Sequence, residues 1–158
     1  MIGLGNPGGK YEKNRHNVGK MFVGGLGDVR GVRAVETNCF MNESGRFVKK
    51  HLTNLSDPPA GEAGLTNLYI AHDDLDLKLG EFKINFGKGP ELHNGILSIE
   101  EAMGTRDFWR VRIGVDNRGS GQARMTGENY VLSDFTKEER EVLDNLFPKI
   151  YEELEKRS

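Results

Sequence analysis

The polar residues able to do chemistry gather at a few points of the chain. His16 stands in Arg15-His16-Asn17, His72 opens the run His72-Asp73-Asp74-Leu75-Asp76, and His93 precedes Asn94-Gly95. A neutral imidazole with a pKa of about 6.5 can take a proton from water, provided a carboxylate holds its second nitrogen. Asp73 is the best candidate for that carboxylate and His16 for the base, although an isolated histidine at a loop-to-helix junction serves as readily as a surface or capping residue. Asn6, Asn17, Asn42 and Asn94 each combine a donor with an acceptor, which suits orienting an amide or ester and its attacking water. Any one of them could instead hold a turn or cap a helix.

Other chemistries compete for the same residues. Gly3, Gly5 and Gly8 match the G-x-G-x-x-G spacing of a dinucleotide site, but Pro7 sits inside the motif and no helix follows directly. No Gly-Lys-Ser/Thr follows either, so the Walker pattern fails. Asp73, Asp74 and Asp76 could bind a hard cation, with His72 and His93 as added ligands for a transition metal. Neither histidine has a partner at helical i, i+4 spacing, however, and clustered carboxylates also cap turns. The expectation is no metal and no cofactor. Cys39 and Ser44 are nucleophiles by type, but no His-Asp spacing completes a triad around them, and both read as structural.

With 158 residues the chain fits one domain spanning 1–158. Its 24 acidic and 22 basic residues leave a net charge of -2, so no overall positive field draws it to nucleic acid. A polyanion would need a local patch, which Arg106, Arg110, Arg112, Arg118 and Arg124 could form. The single cysteine excludes an internal disulfide and fits a reducing, cytoplasmic setting. No apolar run reaches the length of a membrane span and no leader pattern is visible, which predicts a soluble protein.

The elements that must position these groups follow from periodicity and punctuation. Met1 to Leu4 reads as a very short strand ended by Gly5-Asn6-Pro7-Gly8. A helix is expected from Asn17, with Val18, Met21, Phe22 and Leu26 at helical spacing. Val32 to Glu36 reads as a strand, Asn42 opens a second helix, and 56–61 reads as a loop. Leu65 to Ala71 should be a buried strand ending at His72-Asp73-Asp74, followed by an alternating strand from Glu81 to Phe86. A helix from Asn94 or Leu97 to Met103 precedes a strand from Phe108 to Val115, with Arg110 and Arg112 on one side and Trp109, Val111 and Ile113 on the other. The glycine-rich stretch 117–129 reads as a mobile loop, and Thr136 with Glu139 forms a capping box for a last helix. Such alternation predicts a single α/β domain with a mixed twisted sheet flanked by helices.

Several blocks together closely resemble the bacterial-type peptidyl-tRNA hydrolase family: GLGNPGGKYEKNRHNVG (3–19), FMNESG (40–45), IAHDDLDLKLG (70–80), HNG (93–95) and FWRVRIGV (108–115). The resemblance implies hydrolysis of the ester joining a peptide to tRNA, which recycles the tRNA, by a cytoplasmic monomer. It makes His16 the catalytic base, Asp73 the acid that holds it, and Asn6 the group orienting the carbonyl or water. Tyr11, Phe40, Asn42, His93 and Asn94 would line the groove for the peptide and the tRNA 3′ end, and Lys83, Lys88 or Arg112 would have to meet tRNA phosphate. Relative to the family the chain is short between residues 20 and 38 and at its C-terminus. It carries Pro90-Glu91-Leu92 in place of a glycine-rich run and Asn85 at an expected basic position. The alternative on the same fold is a non-catalytic RNA- or protein-binding relative.

Overall fold

The computed structural model of the protein describes residues 1–26, 32–54, 65, 67–90, 92–119 and 125–157. The strands are β1 (Ile2–Gly3), β2 (Val35–Glu36), β3 (Tyr69–Lys78), β4 (Phe82–Phe86) and β5 (Trp109–Asp116). They form one sheet in the order β2-β1-β3-β5-β4, in which only the edge strand β4 runs antiparallel to its neighbour. The helices are α1 (Val18–Gly24), α2 (Ser44–Thr53), α3 (Asn94–Met103), α4 (Gly127–Val131) and α5 (Lys137–Glu155). The mixed α/β sheet expected from the sequence is therefore present. The expected loop at 56–61 and Arg124 lie outside the described residues.

Two apolar clusters hold the layers together. Val18 and Phe22 of α1 pack with Val111, Ile113 and Val115 of β5 and with Leu143, Leu146 and Ile150 of α5. Ile2, Leu4 and Ile70 join Val48 of α2 and Ile96 and Ile99 of α3 in the second. Both faces of β5 are covered, one by α1 and α5 and the other by α3. Arg110 and Arg112 do share a side, as alternation requires, but Arg110 is only 1 % exposed, and its guanidinium meets Glu100 of α3 at 2.6 Å.

Three further expectations change. β3 does not stop at the histidine but runs through it to Lys78, for a reason the site makes plain. The second strand is limited to Val35–Glu36. Of the stretch 117–129 read as a mobile loop, residues 120–124 lie outside the described residues and the last three begin α4, whose N-cap Thr126 accepts a hydrogen bond from the Asn129 amide. The capping box on α5 is formed as expected, and Pro148 lies inside that helix.

Where α1 crosses the sheet, two glycines let backbones touch. A β-carbon on Gly19 would collide with the Ala71 carbonyl oxygen, and one on Gly3 with the Gly19 carbonyl. Gly19→Val is therefore expected to force α1 off β3. Overpacking of this kind costs about 2 kcal/mol. That corresponds to a melting temperature lowered by roughly 4–8 °C for a chain of this size, which thermal unfolding followed by circular dichroism would measure.

Candidate active site

β1 ends at Gly3, while β3 continues for several residues past Ala71, the last residue paired with it. On that side β3 presents an open edge at His72, Asp73 and Asp74, and loops enter there. On its other side these residues stay paired with β5, in the register His72↔Arg112, Asp73↔Ile113 and Asp74↔Gly114. Three polar side chains persist inside a buried strand because each has a partner, which offsets the cost of removing them from water. Asp74 Oδ2 accepts from Arg112 Nε at 2.6 Å, and Asp73 Oδ1 accepts from two imidazoles.

The first imidazole is His16, on a 3₁₀ turn spanning Arg15–Asn17 that leads into α1. Its Nδ1 lies 2.8 Å from Asp73 Oδ1. The second is His93, the N-cap of α3, with Nε2 at 2.9 Å from the same oxygen. The hydrogen bonds settle the tautomers. A carboxylate only accepts, so His16 carries its proton on Nδ1 and leaves Nε2 with a free lone pair. His93 donates from Nε2, and its Nδ1 accepts the Ile96 amide at 3.2 Å, so both of its nitrogens are spent. His72 donates Nδ1–H to the Asp73 carbonyl at 2.7 Å and is wholly buried, with Nε2 unpartnered among the described residues. Of these three imidazoles, only His16 offers a base to a cavity.

Electrostatics agree with that division. Burial works to lower the pKa of His16, but the charge of Asp73 and its hydrogen bond outweigh burial and hold the imidazole above the ordinary 6.5. Burial would raise Asp73, yet the two histidines beside it keep the carboxyl far below the usual carboxylate range. Burial, with His93 close by, pushes His72 well below 6.5, so it stays neutral.

Asn6 and Asn17 join the turn after β1 to the His16 segment. Asn17 Oδ1 accepts the Asn6 amide at 2.8 Å, and its Nδ2 donates to the Asn6 carbonyl at 2.9 Å. The Asn6 side-chain oxygen accepts the Met41 amide at 2.9 Å, which leaves its Nδ2 without a partner among the described residues. The His16 turn is fixed from behind by Arg15, which is 3 % exposed. Arg15 donates to Ser133 Oγ at 2.8 Å and meets Glu139 of α5 at 2.5 Å, with its guanidinium 4.3 Å from the Tyr130 ring centre. The importance of Arg15 was missed in the sequence, where it is simply the residue before a histidine.

A cavity of about 660 Å³ opens over these groups. Asn6, His16, Phe40, Asn42, Asp73, His93 and Asn94 all line it, so the structure brings together most of the residues singled out from sequence. Tyr11 stands one step back, packed edge-on against Phe40 with ring centres 6.4 Å apart. Lys83 and Arg112 face each other across β4 and β5, and neither lines the cavity. Lys83 is exposed, but Arg112 is taken up by Asp74, by Asn85 at 3.4 Å and by Asp76 at 3.9 Å. Leu132 and Val131, at the end of α4, also line the cavity; reading 117–129 as a loop concealed how that segment continues into the site.

The acidic run does not converge on a cation. Asp74 is engaged by Arg112 and by the Asp76 amide, while Asp73 turns to the histidines. Among the described residues, the group arranged closely enough to hold a metal is His16, Asp73 and His93, whose ligand atoms lie within 4.8 Å of one another. Asp73 Oδ1 already accepts from His16 Nδ1 and His93 Nε2, so an ion bound through these atoms would have to displace both hydrogen bonds.

Comparison with known proteins adds an independent line. The family model described as Peptidyl-tRNA hydrolase matches residues 1–37 and, in a second overlapping segment, 26–157. The peptidyl-tRNA hydrolase of Mycobacterium marinum is 36% identical over 162 residues, covering 89% of this chain and 80% of its own length. That of Lawsonia intracellularis is 35% identical over 175 residues, covering 98% and 84%. A crystal structure of the peptidyl-tRNA hydrolase from Acinetobacter baumannii superposes with a TM-score of 0.77 at 28% identity, over 96% of this chain and 83% of that one.

Proposed function

The chain belongs to the peptidyl-tRNA hydrolase family, and from that membership we propose that it hydrolyses the peptide–tRNA ester through water activated by His16. The observation that carries this reading is the imidazole whose Nδ1 is bound to Asp73 and whose Nε2 is free at the cavity.

A water held between His16 Nε2 and the ester carbonyl gives its proton to Nε2 as its oxygen attacks the carbon. The Asp73 carboxylate stabilises the imidazolium that forms. Negative charge growing on the carbonyl oxygen is met by the Nδ2 donor of Asn6. The tetrahedral intermediate then expels the ribose oxygen, which takes the proton back from His16, and peptide and tRNA leave. General-base action supplies about 10²- to 10⁴-fold, and positioning by fixed groups supplies much of the rest. No step calls on a cofactor.

Asn42 and Asn94, both exposed on the cavity, are placed to hold the peptide backbone and the tRNA 3′ end, with Phe40 beside them and Tyr11 behind it. His93 acts through Asp73 rather than on substrate. Lys83 offers an exposed charge to phosphate, whereas Arg112 is largely neutralised by its two carboxylates. The protein acts as a monomer, one domain over residues 1–158, in the cytoplasm. Among the described residues no helix is long and apolar enough to cross a membrane.

Release of N-acetylated amino acid from N-acetylaminoacyl-tRNA tests the reading. Release is expected, at a rate unchanged by EDTA. Binding of the substrate without release would instead favour a non-catalytic module, and dependence on added metal would move the chemistry to the His16-Asp73-His93 donor set.

A further inference from the structure

The cavity has a second character besides its polar apex. Seven large hydrophobic side chains are exposed among the described residues, and three of them, Phe40 at 49%, Leu92 at 88% and Leu132 at 41%, line this one cavity. They come from three separate places in the chain: the residue before a 3₁₀ turn, the segment before α3, and the end of α4. Leu75 and Val131 line the same cavity. Apolar surface left in water at one point, from elements brought together only by the fold, marks a place where something apolar binds.

The charge around the cavity narrows what that is. Among the described residues no lysine or arginine lines it, while Asp73, Asp74 and Glu128 do. An acidic side chain would meet the unpaired charge of Glu128 there and, among the described lining residues, no lysine or arginine to pair with. The apolar wall and His16 belong to the same cavity. A substrate ester at His16 therefore sits in the same cavity as this apolar surface, with the side chain of its esterified residue starting only two bonds from the carbonyl carbon.

Building on the hydrolase reading, we propose that this site discriminates among peptidyl-tRNAs by the esterified residue, favouring a large apolar side chain, read by Leu92 and Leu132, over a small or acidic one. Leaving tRNA sequence out of the comparison requires one tRNA, chemically charged in turn with N-acetyl-leucine, N-acetyl-alanine and N-acetyl-aspartate. The expected kcat/KM for the leucyl ester exceeds that for the alanyl ester by about tenfold, the scale of discrimination open to a hydrophobic pocket, and the aspartyl ester is slowest. In the double variant Leu92→Ser/Leu132→Ser the leucyl rate should fall at least fivefold more than the alanyl rate. Its melting temperature serves as the control for folding. Equal rates on all three esters, or a leucyl preference that survives the double substitution, would overturn the inference and leave the hydrolase reading standing. No release from any of the three would overturn the hydrolase reading and take this inference with it.

Discussion

His16→Ala is expected to lower kcat for release of peptide from peptidyl-tRNA by about 10²- to 10⁴-fold, the range over which a positioned general base acts. Substrate affinity should change far less, because the residues placed against the peptide and the tRNA end remain. The fold should survive as well. Asp73 keeps the hydrogen bond from His93, the turn remains anchored through Arg15 to Ser133 and Glu139, and the lost ring lies at the cavity rather than in either apolar cluster. Single-turnover release under saturating enzyme, beside a binding measurement, separates the two effects. A variant that binds normally and turns over normally would remove His16 from the mechanism.

Asp73→Asn should be nearly as damaging although it changes hardly any volume. The carboxylate accepts from two imidazoles through one oxygen. An asparagine presents one oxygen and one NH₂ group. If the NH₂ faces His16, Nδ1 must accept, the proton moves to Nε2, and the lone pair that takes a proton from water disappears from the cavity. If the oxygen faces His16, the tautomer survives, but no negative charge stabilises the imidazolium. Either outcome costs on the order of 10²- to 10⁴-fold in kcat. Because both residues serve one proton transfer, the double variant His16→Ala/Asp73→Asn should be little slower than His16→Ala alone. Losses that simply multiply would mean that Asp73 acts on the reaction by some route other than His16.

The parts of this site that could be read in the sequence are those whose chemistry is local. His16, Asp73 and Asn6 stand at breaks in the apolar pattern, and residue type alone suggests a base, a carboxylate and an amide donor. What pattern could not supply was the environment across the sheet. The run His72-Asp73-Asp74 looks like the end of a strand because polar residues ordinarily leave the core. It remains strand because β5 continues beside it and because its two carboxylates find partners far away in sequence, Asp73 in His16 and His93 and Asp74 in Arg112. Arg110 misleads in the same way, since strand alternation reports which side it faces but not that α3 covers that side with Glu100.

The short first strand has a similar lesson. Four apolar residues before a turn look like a weakness in the sheet, and β1 is indeed only Ile2–Gly3. Its early end is also what leaves Asp73 uncovered on one side, so that imidazoles from two loops can reach a buried carboxylate. The double use of His93 had no sequence signal beyond its place before Asn94-Gly95. It depends on an N-cap bond and a carboxylate bond meeting on one ring.

The central claim is that a neutral His16, with its proton held on Nδ1 by Asp73, takes a proton from water. Its most direct test is the pH dependence of kcat/KM between pH 5 and 8.5, corrected for spontaneous ester hydrolysis, beside the titration of the His16 ring by NMR. The ring must be neutral to act and its pKa is held above 6.5. Activity should therefore rise with pH through one inflection above 6.5 that coincides with the His16 titration, and the residual activity of His16→Ala should lack that limb. A rate independent of pH over this range, or the same rising limb in His16→Ala, would contradict the account.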